Sequence, residues 1–359
     1  MASEPLTKSV RLSTILGEDN RLEASTYLRE GYGYVRLANQ CSNHVPLREL
    51  ADIWMPSRLT GYTVEPGKGL PFFTAGQVFE DFPRVRRWLA KPFVPQPETR
   101  LVELNWLLLS RSGVVGRVTA VYPHHLGKII TDDLLRIVPK DDVEYGWLYA
   151  YMRTDFFKQI ATAAQYGHMI KHIEVEHANE FPVIMPSRDV RHSIAEIANK
   201  AIASRRQAWQ LRDKAFECFD ALVGYNDSSL QEHGIVETDV PLSKVLANRS
   251  RLDADSFAGT IDGIDKAIDS ITWDYLGNDV RDIIELPRFK SDSNTPFVGV
   301  SEMFDVNAHP TKYVYEKLIP HWEQYMLQPN TLVMACSGQK YGILGRTSEV
   351  TENHRGMFG

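Results

Sequence analysis

Residues 107–113 read LLLSRSG, and residues 332–338 read LVMACSG. Each is an apolar run closed by Ser-Gly, the pattern of a buried strand entering a tight turn. They stand 225 positions apart, and the likeness spreads in both directions. Toward the C-terminus, Gly116-Arg117-Val118 meets Gly345-Arg346-Thr347 at an offset of 229, after a four-residue insertion. Toward the N-terminus, Pro71-Phe72-Phe73 meets Pro296-Phe297-Val298 at 225, and Asp52-Ile53 meets Asp282-Ile283 at 230. Leu12 to Leu16 (LSTIL) and Arg21 to Ala24 (RLEA) meet Leu242 to Leu246 (LSKVL) and Arg251 to Ala254 (RLDA), again at 230. Chance supplies one such match, not a series in the same order. The chain carries one module twice.

Each module is about 180 residues, within the usual domain range. The second copy is expected to be incomplete. Gly359 aligns near Ile130 of the first copy, just before the strand-like Leu134 to Val138.

Within the first copy, short apolar runs bounded by Gly and Pro from Val45 to Pro139 predict a compact β-rich core. Tyr145 to Ala164 reads as a helix, a polar loop follows, and Phe181 to Pro186 reads as an extended segment. After Ser187, positions Ile194, Ile197, Ala201, Ser204, Ala208, Leu211, Ala215, Cys218 and Leu222 alternate steps of three and four. That is a coiled-coil seam, about 54 Å long from Ser187 to Leu222 at the helical rise. Ile194, Ile197, Ala201, Ala208, Leu211, Ala215 and Leu222 are its partner-facing candidates. The alternative is an amphipathic helix lying on its own domain. The predicted fold is therefore α+β, with two tandem mixed, β-rich domains joined by a long coiled-coil helix and the second copy truncated. The expected boundaries are 1–44 for an N-terminal segment, 45–186 for the first domain and 187–223 for the helix. Residues 224–241 form a linker and 242–359 the second domain.

Of the 359 residues, 43% are apolar and 24% charged, the balance of a soluble globular protein. The apolar runs are too short to cross a bilayer, and no signal peptide opens the chain. Cys41, Cys218 and Cys336 are odd in number and far apart, which predicts no disulfide framework and a cytoplasmic setting. The net charge of −6 argues against holding nucleic acid by bulk charge. Charge is local, however. From Arg84 to Lys128 there are eight Lys/Arg against two acids, Glu98 and Glu103.

The order of elements, with its SGVVGR turn at Ser112 to Arg117 and the FPVIMP segment at Phe181 to Pro186, occurs with a long helix between two copies. This arrangement resembles the specificity subunit of type I restriction–modification systems and related phage-defence methylation systems. The resemblance runs from about Leu12 to Gly359. It implies that each copy is a target-recognition domain reading half of a split duplex DNA site, with the helix as the ruler between half-sites. It also implies adenine methyltransferase partners, two in number, and in restricting systems a translocating nuclease subunit. A chain with one long helix can also pair with itself through that helix as a homodimer.

Several basic and polar residues are DNA-binding candidates. Arg84, Arg86, Arg87 and Lys91 lie in one Pro-flanked segment and suit guanine edges or phosphates. Arg111 and Arg117 flank the glycine turn, with Lys128 beyond it. Arg117 and its counterpart Arg346 fit a shared DNA-backbone contact or a shared structural ion pair equally. Lys340 belongs to the same region of the second copy. Gln165, Tyr166, His168 and Lys171 form the polar loop, where Gln suits adenine and Lys a phosphate. His168, His172 and His177 do not form a zinc set, since no Glu follows the first His as in HExxH and no Cys is near. No cofactor and no metal are expected.

Enzyme motifs are missing. There is no Asp/Asn-Pro-Pro-Tyr/Phe, no P-loop and no G-x-S-x-G. The paired acids Asp132-Asp133 and Asp141-Asp142 read as solvated loops and not as a nuclease metal site. The expectation is a non-catalytic recognition subunit. Its alternative is a coiled-coil protein–protein scaffold without DNA binding of its own.

Overall fold

The computed structural model describes residues 9–17, 27, 30–164, 172–223, 239–247, 272, 274–280, 282–286, 295–306, 310, 312–337 and 344–359. Strands β1 (His44–Pro46), β2 (Ala51–Trp54), β3 (Thr63–Val64), β4 (Leu70–Phe73) and β5 (Arg87–Leu89) open the first copy. They are followed by β6 (Leu107–Ser110), β7 (Val118–Ala120), β8 (Ile129–Ile130), β9 (Leu134–Pro139) and β10 (Pro182–Ile184). One four-stranded sheet has the order β2-β9-β6-β7 and another β3-β5-β4-β8; β1 pairs antiparallel with β10.

All four residues of β6 are buried. The strand is bonded on both edges, to β7 and β9, and a strand covered on both faces needs a continuous apolar run instead of alternation. That is why LLLS is the most informative stretch. Its Leu108 packs in one core with Phe73, Val78, Phe79, Val102, Val121, Ile130 and Leu134.

Helix α1 (Leu12–Gly17) and helix α2 (Glu30–Gln40) precede the strands; α3 (Ala75–Val78) lies between β4 and β5. The helix predicted over 145–164 is two helices, α4 (Asp142–Met152) and α5 (Asp155–Ala163). Thr154 divides them. Its extended backbone and its hydroxyl, which accepts from Phe157 N at 3.2 Å, start a new helix by capping, outcompeting continuation of the old one. Helix α6 (Val175–Asn179) and β10 follow, and then α7 (Arg188–Val223), 36 residues long, begins where Ser187 predicted.

The second copy repeats the first in register. Strands β11 (Thr295–Phe297), β12 (Lys312–Val314), β13 (Leu332–Met334) and β14 (Thr347–Glu349) sit at the counterparts of β4, β5, β6 and β7. Leu107 pairs with Ala120, and Leu332 with Glu349, so the four-residue insertion lies within the hairpin turn. Gly116 and Gly345, equivalent across the offset of 229, both have positive φ (86° and 75°), which a side chain would resist. Tyr122 N donates to His125 Nδ1, and Thr351 N to His354 Nδ1, each at 3.1 Å. The α+β class, with two copies of the module and a long helix, is what the structure shows.

The burial of the copies differs. Leu107 is fully buried, whereas its counterpart Leu332 is 72% exposed. Among the described residues β13 pairs only with β14, while β6 has β9 as well.

By internal contacts the chain divides into two compact units, residues 1–203 with 288–359, and residues 204–287. Both sheets and both sets of repeated strands belong to the first unit. The second holds the distal part of α7, α8 (Leu242–Ala247) and α9 (Leu276–Asp279). Helices α1 and α8 are equivalent six-residue elements at the offset of 230.

The stripe of α7 that is buried is Ala195, Ala198, Ile202, Trp209 and Val223. At its start this stripe lies on α4, where a Cβ on Gly146 would stand 2.7 Å from Ala195; glycine is required for that approach. Arg191 and Glu144 form an ion pair beside it. The predicted seam faces elsewhere. Ile197, Leu211 and Leu222 are 71%, 58% and 72% exposed, and Ala201, Ala208 and Ala215 are exposed too; only Ile194 is half-buried. Periodicity alone did not distinguish the stripes, because both recur at helical spacing.

Candidate nucleic-acid interface

The segment from Arg84 to Lys91 is placed by α3. Thr74 and Gln77 form a capping box there, and Gln77 Nε2 donates to the Arg84 carbonyl at 2.7 Å. Strand β5 follows, and burial deepens along it: Arg87 is exposed, Trp88 half-buried and Leu89 buried. Arg84, Arg87 and Lys91 are all exposed, and no ion pair among the described residues engages their side chains.

Arg86 is different. Its Nη2 donates to both Glu80 carboxylate oxygens at 2.9 Å. Glu80 also accepts from Arg346 Nη1 at 2.5 Å, and Arg117 Nη2 pairs with Asp305 at 3.0 Å. Of the two readings open for Arg117 and Arg346, the ion pair is the one with a geometry. Arg111 pairs with Glu174 and donates through Nε to Ile173 O at 3.0 Å, tying β6 to the chain before α6. Lys128 is half-buried, donates to Leu126 O at 3.3 Å, and has its pKa lowered by desolvation. Gln165, Tyr166, His168, Lys171 and Lys340 lie outside the described residues.

The basic stretch from Arg84 to Lys128 is therefore not one charged face. Arg100 is fully buried, donating to Pro95 O and to Ser57 Oγ at 3.2 Å each. Arg136, also fully buried, donates to the carbonyls of Ile130, Thr131 and Leu134. Burial works against its charge, with the Asp132 carboxylate opposing that effect and Arg100 adding to it. Such guanidiniums brace loops. Composition cannot tell them from DNA-binding ones, since both kinds are simply arginine.

One residue escaped the sequence reading. Lys312 opens β12 at the counterpart of Arg87 and is likewise exposed, in the same outward-to-buried pattern. The offset of 225 was the signal that could have found it.

A cleft of about 360 Å³ borders Arg86, Arg117, Lys158, Glu302 and Asp305. The Asp305 pKa is raised to about 6 by burial, which outweighs the Arg117 charge beside it, with Glu80 and Glu302 adding to the rise. His125, enclosed and accepting the cap bond from Tyr122, has its pKa lowered by desolvation to about 4, so its ring is neutral at pH 7. Among the described residues no group of three His, Cys, Asp or Glu is placed to hold a metal. No described helix is long and apolar enough to cross a membrane.

No protein-family model matches the sequence, and no curated protein matches it. Solved structures do. The chain is similar to S subunits of type I restriction–modification systems. The HsdS subunit from Thermoanaerobacter tengcongensis matches at 20% identity and a TM-score of 0.33, over 55% of this chain and 51% of that one. A chain from a structure of type I R-M complex assembly and conformational transition matches at 20% and 0.34, over 58% and 54%. The S subunit from M. genitalium matches at 12% and 0.30, over 90% and 72%. The first two matches span about half the length of the solved chains.

Proposed function

We propose that the chain is a non-catalytic DNA-specificity subunit of a type I restriction–modification or related phage-defence methylation system. In this reading it recognises a bipartite duplex target in the cytoplasm and sets two adenine methyltransferase subunits on it, with a nuclease-translocase as a further partner in restricting systems. The observation that carries the reading is the equivalence of Arg87 and Lys312. Each opens the same strand of the same module and is exposed. One scaffold presenting a cation twice is what reading two half-sites requires. Arg84 and Lys91 extend the set in the first copy, and the exposed stripe of α7 suits a helical partner.

Sequencing of methylated adenines in cells with and without the gene tests it. A split adenine motif that vanishes with the gene is expected; an unchanged methylome overturns the reading.

The scaffold reading draws on a different observation. Arg86, Arg111, Arg117 and Arg346 are all engaged within the chain, which leaves fewer cations for DNA. Tight partner binding with no salt-dependent affinity for duplex DNA would select it.

A further inference from the structure

The segment Phe79 to Asp81 meets Phe304 to Val306, and the residues that meet are counterparts across the repeat. Asp81 N donates to Phe304 O at 2.7 Å, and Val306 N donates to Phe79 O at 2.9 Å. Since 79 and 304, like 81 and 306, are related by the offset of 225, each bond is the other with the copies exchanged. Glu80 and Asp305, also equivalent, face each other in an antiparallel bridge.

The side chains obey the same exchange. Arg117 of the first copy pairs with Asp305 of the second, while Arg346 of the second pairs with Glu80 of the first. Each arginine also lies over the phenylalanine of its own copy, Arg117 at 4.1 Å from the Phe79 ring centre and Arg346 at 4.4 Å from that of Phe304. The four charged side chains are between 8% and 20% exposed. An accidental collision of two domains has no reason to be reciprocal. An isologous contact must be, because the same patch serves on both sides.

We propose that this face is a self-complementary docking surface of the module, whose partner is another copy of the same module. In this chain the second copy occupies the first, and Arg117 and Arg346 serve the docking and not a ligand. The inference does not depend on DNA binding. It predicts a pairing rule: each arginine answers to the acid of the opposite copy. Removing one member of a desolvated pair leaves its partner uncompensated and is strongly unfavourable.

The test uses the full chain with Cys218→Ser, spin-labelled at the exposed Cys41 and Cys336, one in each copy. The distance between labels is measured in the parent, in Arg117→Glu, in Asp305→Arg and in the double variant. One narrow distance is expected in the parent, a broad distribution in each single variant, and the parent distance again in the double variant. A single variant that keeps the parent distribution, or a double variant that stays broad with circular dichroism unchanged, overturns the proposal. If Arg117→Glu unfolds the first copy, Asp305→Arg carries the reading alone, since its change lies on the second copy.

Discussion

Glu80 and Asp305 occupy the same position of a repeated module and face each other across an antiparallel bridge, each holding the arginine of the opposite copy. A like-charged pair at 10% and 11% exposure is tolerable only because three guanidiniums, those of Arg86, Arg117 and Arg346, converge on it. The compensation is incomplete, as the raised pKa of Asp305 shows.

That raised value sets a pH dependence. Asp305 binds its proton more tightly when buried, so its contribution to stability is full below about pH 4 and is lost as pH rises toward about 6. His125, lowered to about 4, acts oppositely: its contribution is present above about pH 6.5 and lost as pH falls. Urea midpoints of the parent sum both. The difference between parent and Asp305→Asn is expected to isolate the first, with the variant losing the decline between pH 4 and 6. Parallel curves for the two proteins would contradict the assignment.

Arg84→Ala, Arg87→Ala and Lys91→Ala together are expected to weaken duplex DNA binding by at least tenfold at low salt. The slope of log affinity against log salt should fall by about 0.9 for each phosphate no longer neutralised. Fluorescence anisotropy across a salt series checks this. Lys312→Ala is expected to act in the same direction, and Arg111→Ala to lower stability instead, because Arg111 is held by Glu174 and Ile173.

Leu107 and Leu332 are equivalent in the repeat but not in burial. Leu107→Ala is expected to cost about 2–5 kcal/mol, the range for an enclosed leucine. Leu332→Ala is expected to stay within about 0.5 kcal/mol, as at other exposed sites. Denaturant titration of both variants gives the comparison, and equal losses would show that β13 is buried in solution.

Gly146→Ala places a Cβ 2.7 Å from three atoms of Ala195, two of them backbone. Overpacking of about 1–3 kcal/mol is expected, seen as a lower melting temperature. Charge placed on the exposed side of α7 should be harmless to the isolated chain. Leu211→Asp with Leu222→Asp is expected to leave its melting unchanged while abolishing assembly through the helix, whether with itself or with a partner, as read by sedimentation.

The sequence by itself determined the duplication, its offsets, the fold class and the start of the long helix. These are properties of order and period. A strand buried on both faces needs an unbroken apolar run, and a helix needs a cap, so LLLS and Ser187 were legible from residue type alone. Tertiary structure decided what each charge does. Arg84 and Arg87 are exposed, Arg86 and Arg117 hold carboxylates, and Arg100 is buried. Likewise, which stripe of α7 is covered depends on where Gly146 lets another helix approach. The physical reason is common to both cases: a side chain's role is set by the solvent and charge around it, and those come from residues distant in the chain. Glu80 meets Arg346 across 266 positions. The module was written twice in the sequence, but the reciprocal contact between its copies exists only in the fold.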